Sequence, residues 1–112
     1  MNALLKVEPA VAWTRVCTVE EIPRLGARVV KSRHGNIALF RTAADEVFAL
    51  LDKCPHKGGP LSQGIVFGRT VACPLHNWNI GLDSGEAVAP DKGCARRFAS
   101  RVEDGAVLLD LA

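Results

Sequence analysis

The sequence predicts an all-β domain, an antiparallel sandwich or compact barrel. Two observations carry this. Short apolar–polar segments recur with turn signals about every eight to twelve residues. Ten glycines and six prolines among 112 residues favour turn-rich β structure over a helix bundle. A chain of this length builds one core rather than two, so a single domain over residues 1–112 is expected.

The elements follow in order. Met1 to Ala12 reads as an arm, and Trp13 to Cys17 alternates apolar and polar as a first strand. Thr18-Val19-Glu20-Glu21 is a capping-box pattern, but Pro23 and Gly26 follow so closely that any helix stops after about one turn. Ala27 to Lys31, Asn36 to Arg41 and Val47 to Asp52 are short β segments, the first two joined by a turn at Arg33-His34-Gly35-Asn36 that leaves His34 solvated. Phe98 to Glu103 and Ala106 to Leu111 flank Asp104-Gly105, a strong hairpin signal. Trp13, Cys17 and Phe98 are core candidates.

Charge and hydropathy exclude several function classes. Fourteen Lys and Arg against twelve Asp and Glu leave a formal charge of +2, too weak a bias for nucleic acid or an anionic membrane. No apolar run reaches the roughly 18 residues of a spanning helix, and Met1 to Pro9 lacks the apolar stretch of a secretory signal. A cytoplasmic protein is therefore expected. There, four cysteines point to metal or redox chemistry before disulfides.

The middle of the chain is different. Residues 54–90 hold four of the six prolines and six of the ten glycines. So short and turn-rich a segment is not expected to bury a core of its own, and it calls for a staple. Cys54-Pro55-His56 and Cys73-Pro74-Leu75-His76 supply the groups for one, with sixteen residues between His56 and Cys73. Each pair follows a β segment and opens into a loop, so two loops can face each other, each offering a thiolate and an imidazole. Three readings fit these residues. The cysteines can be buried small hydrophobes with histidines nearby. The four can hold a structural zinc, although zinc fingers keep their cysteines together and carry their histidines on a helix. Or they can hold a [2Fe–2S] cluster with two Cys on one iron and two His on the other.

Cys54-Pro55-His56, the sixteen-residue gap and Cys73-Pro74-Leu75-His76 resemble the Rieske motif, and Pro90 resembles the proline loop that covers its cluster. The resemblance implies a Rieske fold, with an antiparallel base from residues 13–52 and 95–111 and a cluster-binding lobe over about residues 53–91. It also implies a [2Fe–2S] cluster on Cys54, His56, Cys73 and His76. Two neutral imidazoles in place of thiolates remove two negative charges, so the potential rises relative to an all-cysteine cluster.

Cys54 through Ser62 (CPHKGGPLS), Cys73 through Trp78 (CPLHNW) and Gly85 through Cys94 are most similar to the small subunit of cytosolic NAD(P)H-dependent nitrite reductase. That resemblance implies electron transfer in the reduction of nitrite to ammonium, with flavin, sirohaem and substrate on a large subunit. The Rieske ferredoxins of aromatic-ring dioxygenases share the ligands and the size, and a zinc-stapled interaction module remains the third class. High-potential respiratory Rieske proteins carry a disulfide between the loops, at positions matching Gly59 and Leu75. Their hydroxyl donors to the cluster match Trp78 and Ile80, and this chain has no Tyr, which implies a low-range potential. Cys94 reads as a packing residue, Trp78 as a shield or a relay, and Lys57 and Lys92 as the rim of a docking surface or a solvated face.

Overall fold

The computed structural model describes residues 13–55, 58–74 and 78–111. Ten strands and two single 3-10 turns follow one another: β1 (Trp13–Thr18), a 3-10 turn (Val19–Glu21), β2 (Ala27–Ser32), β3 (Gly35–Arg41) and β4 (Val47–Leu51). A second 3-10 turn (Leu61–Gln63) precedes β5 (Ile65–Phe67), β6 (Thr70–Ala72), β7 (Asn79–Gly81), β8 (Arg97–Phe98), β9 (Ser100–Glu103) and β10 (Ala106–Asp110). They form three antiparallel sheets, ordered β9-β10-β1, β2-β3-β4-β8 and β5-β6-β7.

Within the middle sheet β3 is buried on both faces, and it shows why the layers stack. Ile37, Ala38, Leu39 and Phe40 are all fully buried. Successive strand residues point to opposite faces. Ile37 and Leu39 pack with Cys17, Ile22, Phe98, Val107 and Leu109 in the base. Ala38 and Phe40 pack the other way, with Leu50, Leu61, Val66, Val71, Ile80 and Leu82. The same alternation sends Val47 and Ala49 of β4 to the base core and Leu50 to the lobe core.

Segment 54–90 is thus not coreless: it contributes Leu61, Val66, Val71, Ile80 and Leu82 to a core shared with the back of the base sheet. The sequence offers only short, Gly-interrupted fragments here, and the apolar surface that completes them belongs to β3 and β4.

Other expectations shift with the packing. Phe98 to Glu103 is two strands, not one. Phe98 pairs with Ala49 in the middle sheet while Ser100 pairs with Leu109 in the outer one, and the chain changes sheet at Ala99. Phe98 is buried and Ser100 Oγ donates to the Val47 carbonyl at 2.9 Å, so the corner is fixed on both sides. Trp13 lies on the surface, 38% exposed, with Arg101 over its ring. The hairpin turn contracts to Arg33 and His34, because Ser32 already pairs with Gly35. His34 is half-buried, its ring 5.5 Å from that of Phe98. The capping box forms, Thr18 N–H donating to Glu21 Oε1 at 2.8 Å, and caps a single 3-10 turn. Among the described residues, no helix is long and apolar enough to cross a membrane.

Candidate metal centre

Cys54 and Cys73 stand where strands give way to loops: Cys54 three residues after β4, Cys73 directly after β6. Both are buried, at 2% and 0% exposure, and both belong to the shared lobe core. Neither is in a disulfide. Each roots a tight loop through its own backbone. Cys54 N–H donates to the Gly59 carbonyl at 2.8 Å, and Gly58 N–H returns to the Cys54 carbonyl at 2.8 Å. Cys73 N–H donates to the Trp78 carbonyl at 2.7 Å. Gly58 takes φ +74°, a conformation that L side chains rarely adopt.

His56 and His76, with Lys57, Leu75 and Asn77, lie outside the described residues. The roots of both loops are described; in sequence His56 falls between Cys54 and Gly59, and His76 between Cys73 and Trp78. Among the described residues alone, no group of three or more His, Cys, Asp and Glu side chains gathers.

Two further contacts hold the loops. The Asp52 carboxylate accepts the Ser62 N–H and the Ser62 hydroxyl, both at 2.7 Å, and so ties together the two ends of the first loop. Residues 86–94 fold back against both loops. Ile80 pairs with Ala87 and Glu86 with Cys94, while Ala87 N–H donates to the Gly93 carbonyl at 2.9 Å. At Gly93 a Cβ would stand 3.2 Å from Pro55 Cβ and 3.9 Å from Trp78 Cζ3. Neither contact is legible in advance. Asp52 and Ser62 are ordinary loop residues in sequence, and Gly93 is marked only by the Pro90–Cys94 run. Pro90 is exposed on this third loop, and Cys94 is exposed rather than packed. Cys17 lies in the base core, where burial pushes its thiol pKa up against the opposing pull of Arg28.

Two buried thiols on neighbouring loops, with imidazoles two and three residues further on, are a soft sulfur–nitrogen donor set suited to iron–sulfur or zinc chemistry. A Rieske [2Fe–2S] domain model matches residues 12–99. The chain belongs to the Rieske [2Fe–2S] family. Its cofactor is a Rieske-type [2Fe–2S] cluster, so the zinc reading falls away, and its general function is electron transfer.

Relatives divide by architecture. The chain is 36% identical over 99 residues to the 3-phenylpropionate/cinnamic acid dioxygenase ferredoxin subunit of Photorhabdus laumondii, covering 87% of this chain and 92% of that one. It is 54% identical over 43 residues to 4beta-methylsterol monooxygenase of Methylococcus capsulatus, but covers only 12% of that protein. Among solved structures, a candidate NADPH nitrite reductase small subunit superposes with TM-score 0.80 at 25% identity, covering 91% of this chain and 100% of that one. A candidate NADH-dependent nitrite reductase small subunit from Mycobacterium tuberculosis reaches TM-score 0.83 at 23% identity, covering 93% and 98%.

Proposed function

We propose that this Rieske protein is the electron-transferring small subunit of a cytoplasmic NAD(P)H-dependent nitrite reductase that makes ammonium. In this reading Cys54 and Cys73 hold one iron of the cluster, and His56 and His76 the other. The observation that carries it is a convergence. The three stretches most similar to that subunit (Cys54–Ser62, Cys73–Trp78 and Gly85–Cys94) are separate in sequence, and they meet where Gly93 packs against Pro55 and Trp78. The superposition on a candidate nitrite reductase small subunit over that chain's whole length supports the same reading.

The cofactor supplies one-electron chemistry at a potential above that of all-cysteine clusters. The chain's own residues bury Cys54 and Cys73, close the loops by backbone hydrogen bonds, and through Gly93 bring a third loop against Pro55 and Trp78. Nitrite reduction to ammonium takes more electrons than one such cluster carries. The substrate site therefore belongs to a large subunit with flavin and sirohaem.

A second reading, a ferredoxin that feeds an aromatic-ring dioxygenase, is favoured by the 36% identity to the Photorhabdus ferredoxin subunit over 92% of its length. One pair of reconstitutions separates them. Added to a flavin- and sirohaem-containing nitrite reductase large subunit, the chain is expected to raise NAD(P)H-dependent nitrite consumption with ammonium formed. Added to a dioxygenase oxygenase component with its reductase, it is expected to support no ring hydroxylation. The reverse pattern would replace the first reading by the second.

A further inference from the structure

Charge on this surface is unevenly settled. The ion pairs among the described residues join Arg24 and Arg41 to Asp45, Arg69 to Glu46, and Arg101 to Glu103. Eight exposed cations have no carboxylate partner among the described residues. Arg15, Arg28, Lys31, Lys92 and Arg97 are five of them, and Arg33, Lys53 and Arg96 are the three linked through His34 and the notch it lines. They gather on one side of the first cysteine-bearing loop. A solvent-open notch of about 260 Å3 lies there, lined by His34, Asn36, Leu51, Asp52, Lys53 and Gly58 among others.

The notch is built from three separate pieces of chain locked to one another. Asp52 N–H donates to the Asn36 carbonyl and Leu51 N–H to the Arg96 carbonyl, each at 2.8 Å. The turn that carries Arg33 and His34 is fixed by Ser32, whose hydroxyl donates to the Gly35 carbonyl and accepts from His34 N–H. Arg96 lies over the Phe98 ring and its Nη1 stands 3.3 Å from His34 Nδ1, while Arg33 Nη2 donates to the Leu111 carbonyl. Lys53 runs its stem along Gly58, with Cε 3.7 Å from where a Cβ would stand, so its ammonium flanks the loop rooted at Cys54. Asp52 is the carboxylate in the lining, and both its oxygens are taken by Ser62. Within the lining Lys53 is balanced by Asp52, so the cationic excess comes from Arg33 and Arg96 at the rim, both held in place before any ligand arrives.

We infer that this notch, with Arg33, Lys53 and Arg96 around it, is the docking site for an acidic surface segment of the redox partner. A carboxylate entering the notch meets the Lys53 ammonium, and an acidic neighbourhood around it meets the Arg33 and Arg96 guanidinium groups at the rim, which Leu111, His34 and Phe98 already hold. Such complementarity mainly raises the encounter rate and orients the partner. Here it would bring the partner against the loop that carries Cys54. The inference rests on the electron-transfer reading, and holds for either class of partner.

The test uses the cluster-loaded protein, the triple variant Arg33→Ser/Lys53→Ser/Arg96→Ser, and the charge-matched control Arg15→Ser/Arg28→Ser/Arg101→Ser. The probe is a ten-residue poly-aspartate peptide, with inorganic phosphate as the small-anion arm, followed by NMR shift changes at low salt. The peptide is expected to bind wild type and control alike, to weaken steeply as salt rises, and to lose about tenfold in affinity for the triple variant. Lys53→Ser alone, which touches none of the hydrogen bonds that build the notch, is expected to show part of the loss. Equal peptide affinity for all variants, or phosphate binding as tightly as the peptide, would overturn the assignment. Reversible reduction of the cluster in the same samples reports the electron-transfer reading separately, whatever the peptide does.

Discussion

Asp52 and Ser62 close the first cysteine-bearing loop with two hydrogen bonds from one residue to one carboxylate, both at 2.7 Å. The loop between them carries Cys54, whose own N–H is engaged by Gly59, so the position of the first thiol depends on a latch ten residues wide. Hydrogen bonds to a charged group contribute about 1.5–3 kcal/mol. Asp52→Ala is therefore expected to destabilise the holoprotein by about 2–3 kcal/mol and to speed cluster loss on dilution. Ser62→Ala, which keeps the backbone donor, is expected to cost less. Anaerobic urea titration read by cluster absorbance checks the order, and a larger effect from Ser62→Ala would contradict it.

The shared core changes what loss of the cofactor should do. Under the proposed ligand set, His56→Ala or His76→Ala removes iron and labile sulfide. Val66, Val71 and Ile80 nevertheless share a side-chain core with Phe40 and Leu50 of the base strands. Hydrogen exchange on these apo variants is expected to show protection retained in β5, β6 and β7 and lost in the two loops. Full deprotection of residues 65–81 would mean that the cluster, rather than the packing, holds the lobe.

What the sequence made legible follows from the range of each interaction. Alternation along Trp13–Cys17, the short apolar β segment Asn36–Arg41 and the Asp104-Gly105 turn are local signals, and those elements stand where they were expected. The sheet change at Ala99 left no local mark, because Phe98 is directed by Ala49 and Ser100 by Leu109 and the Val47 carbonyl. The shared core escaped for the same reason: Ala38, Phe40 and Leu50, which complete it, belong to strands read as base. His34 reads as a solvated turn residue until Phe98, Arg96 and Leu111, all more than sixty positions away, are placed around it. The Cys-Pro-His and Cys-Pro-Leu-His runs were readable because their spacing is itself the signal.

The cysteines should divide by exposure. Cys94 is exposed, whereas Cys17 is buried and its thiol is held protonated by burial. Brief anaerobic maleimide treatment of the holoprotein at neutral pH is expected to label Cys94 and leave Cys17 unmodified until denaturant is added. Peptide mapping checks this. Labelling of both at similar rates would show that the base opens readily.

Two glycines separate local fit from backbone strain. At Gly64 a Cβ would stand 2.2 Å from the Ala72 carbonyl oxygen, inside the lobe sheet. Gly64→Ala is expected to cost more than about 3 kcal/mol, since overpacking against backbone has no cheap relief. Gly93→Ala meets Pro55 Cβ at 3.2 Å with φ +138°, and is expected to cost less globally while displacing the first loop. Its signature is an altered cluster spectrum in a protein whose unfolding midpoint has moved little. An unchanged spectrum would mean that residues 86–94 do not press on the site.

The acid limb of the stability curve should carry the charge of Asp45. This carboxylate accepts from Arg41 Nε at 2.9 Å and from Arg24, and those guanidinium groups, Arg41 first, hold its pKa below the usual carboxylate range. A lowered folded-state value means that the unfolded chain binds the extra proton. The contribution is present above the unfolded value near 4 and is lost as pH falls through the lower folded one. Asp45→Asn removes the charge while tolerating φ +64° at this position. The gap in urea midpoint between wild type and this variant is expected to be widest at neutral pH, to close below about pH 4, and to shrink with salt, because the pair faces solvent. Taking the difference between the two proteins cancels any acid sensitivity of the cluster itself. A gap that stays constant from neutral pH down through the acid range would mean that the variant's loss comes from shape at the turn, not from the ion pair.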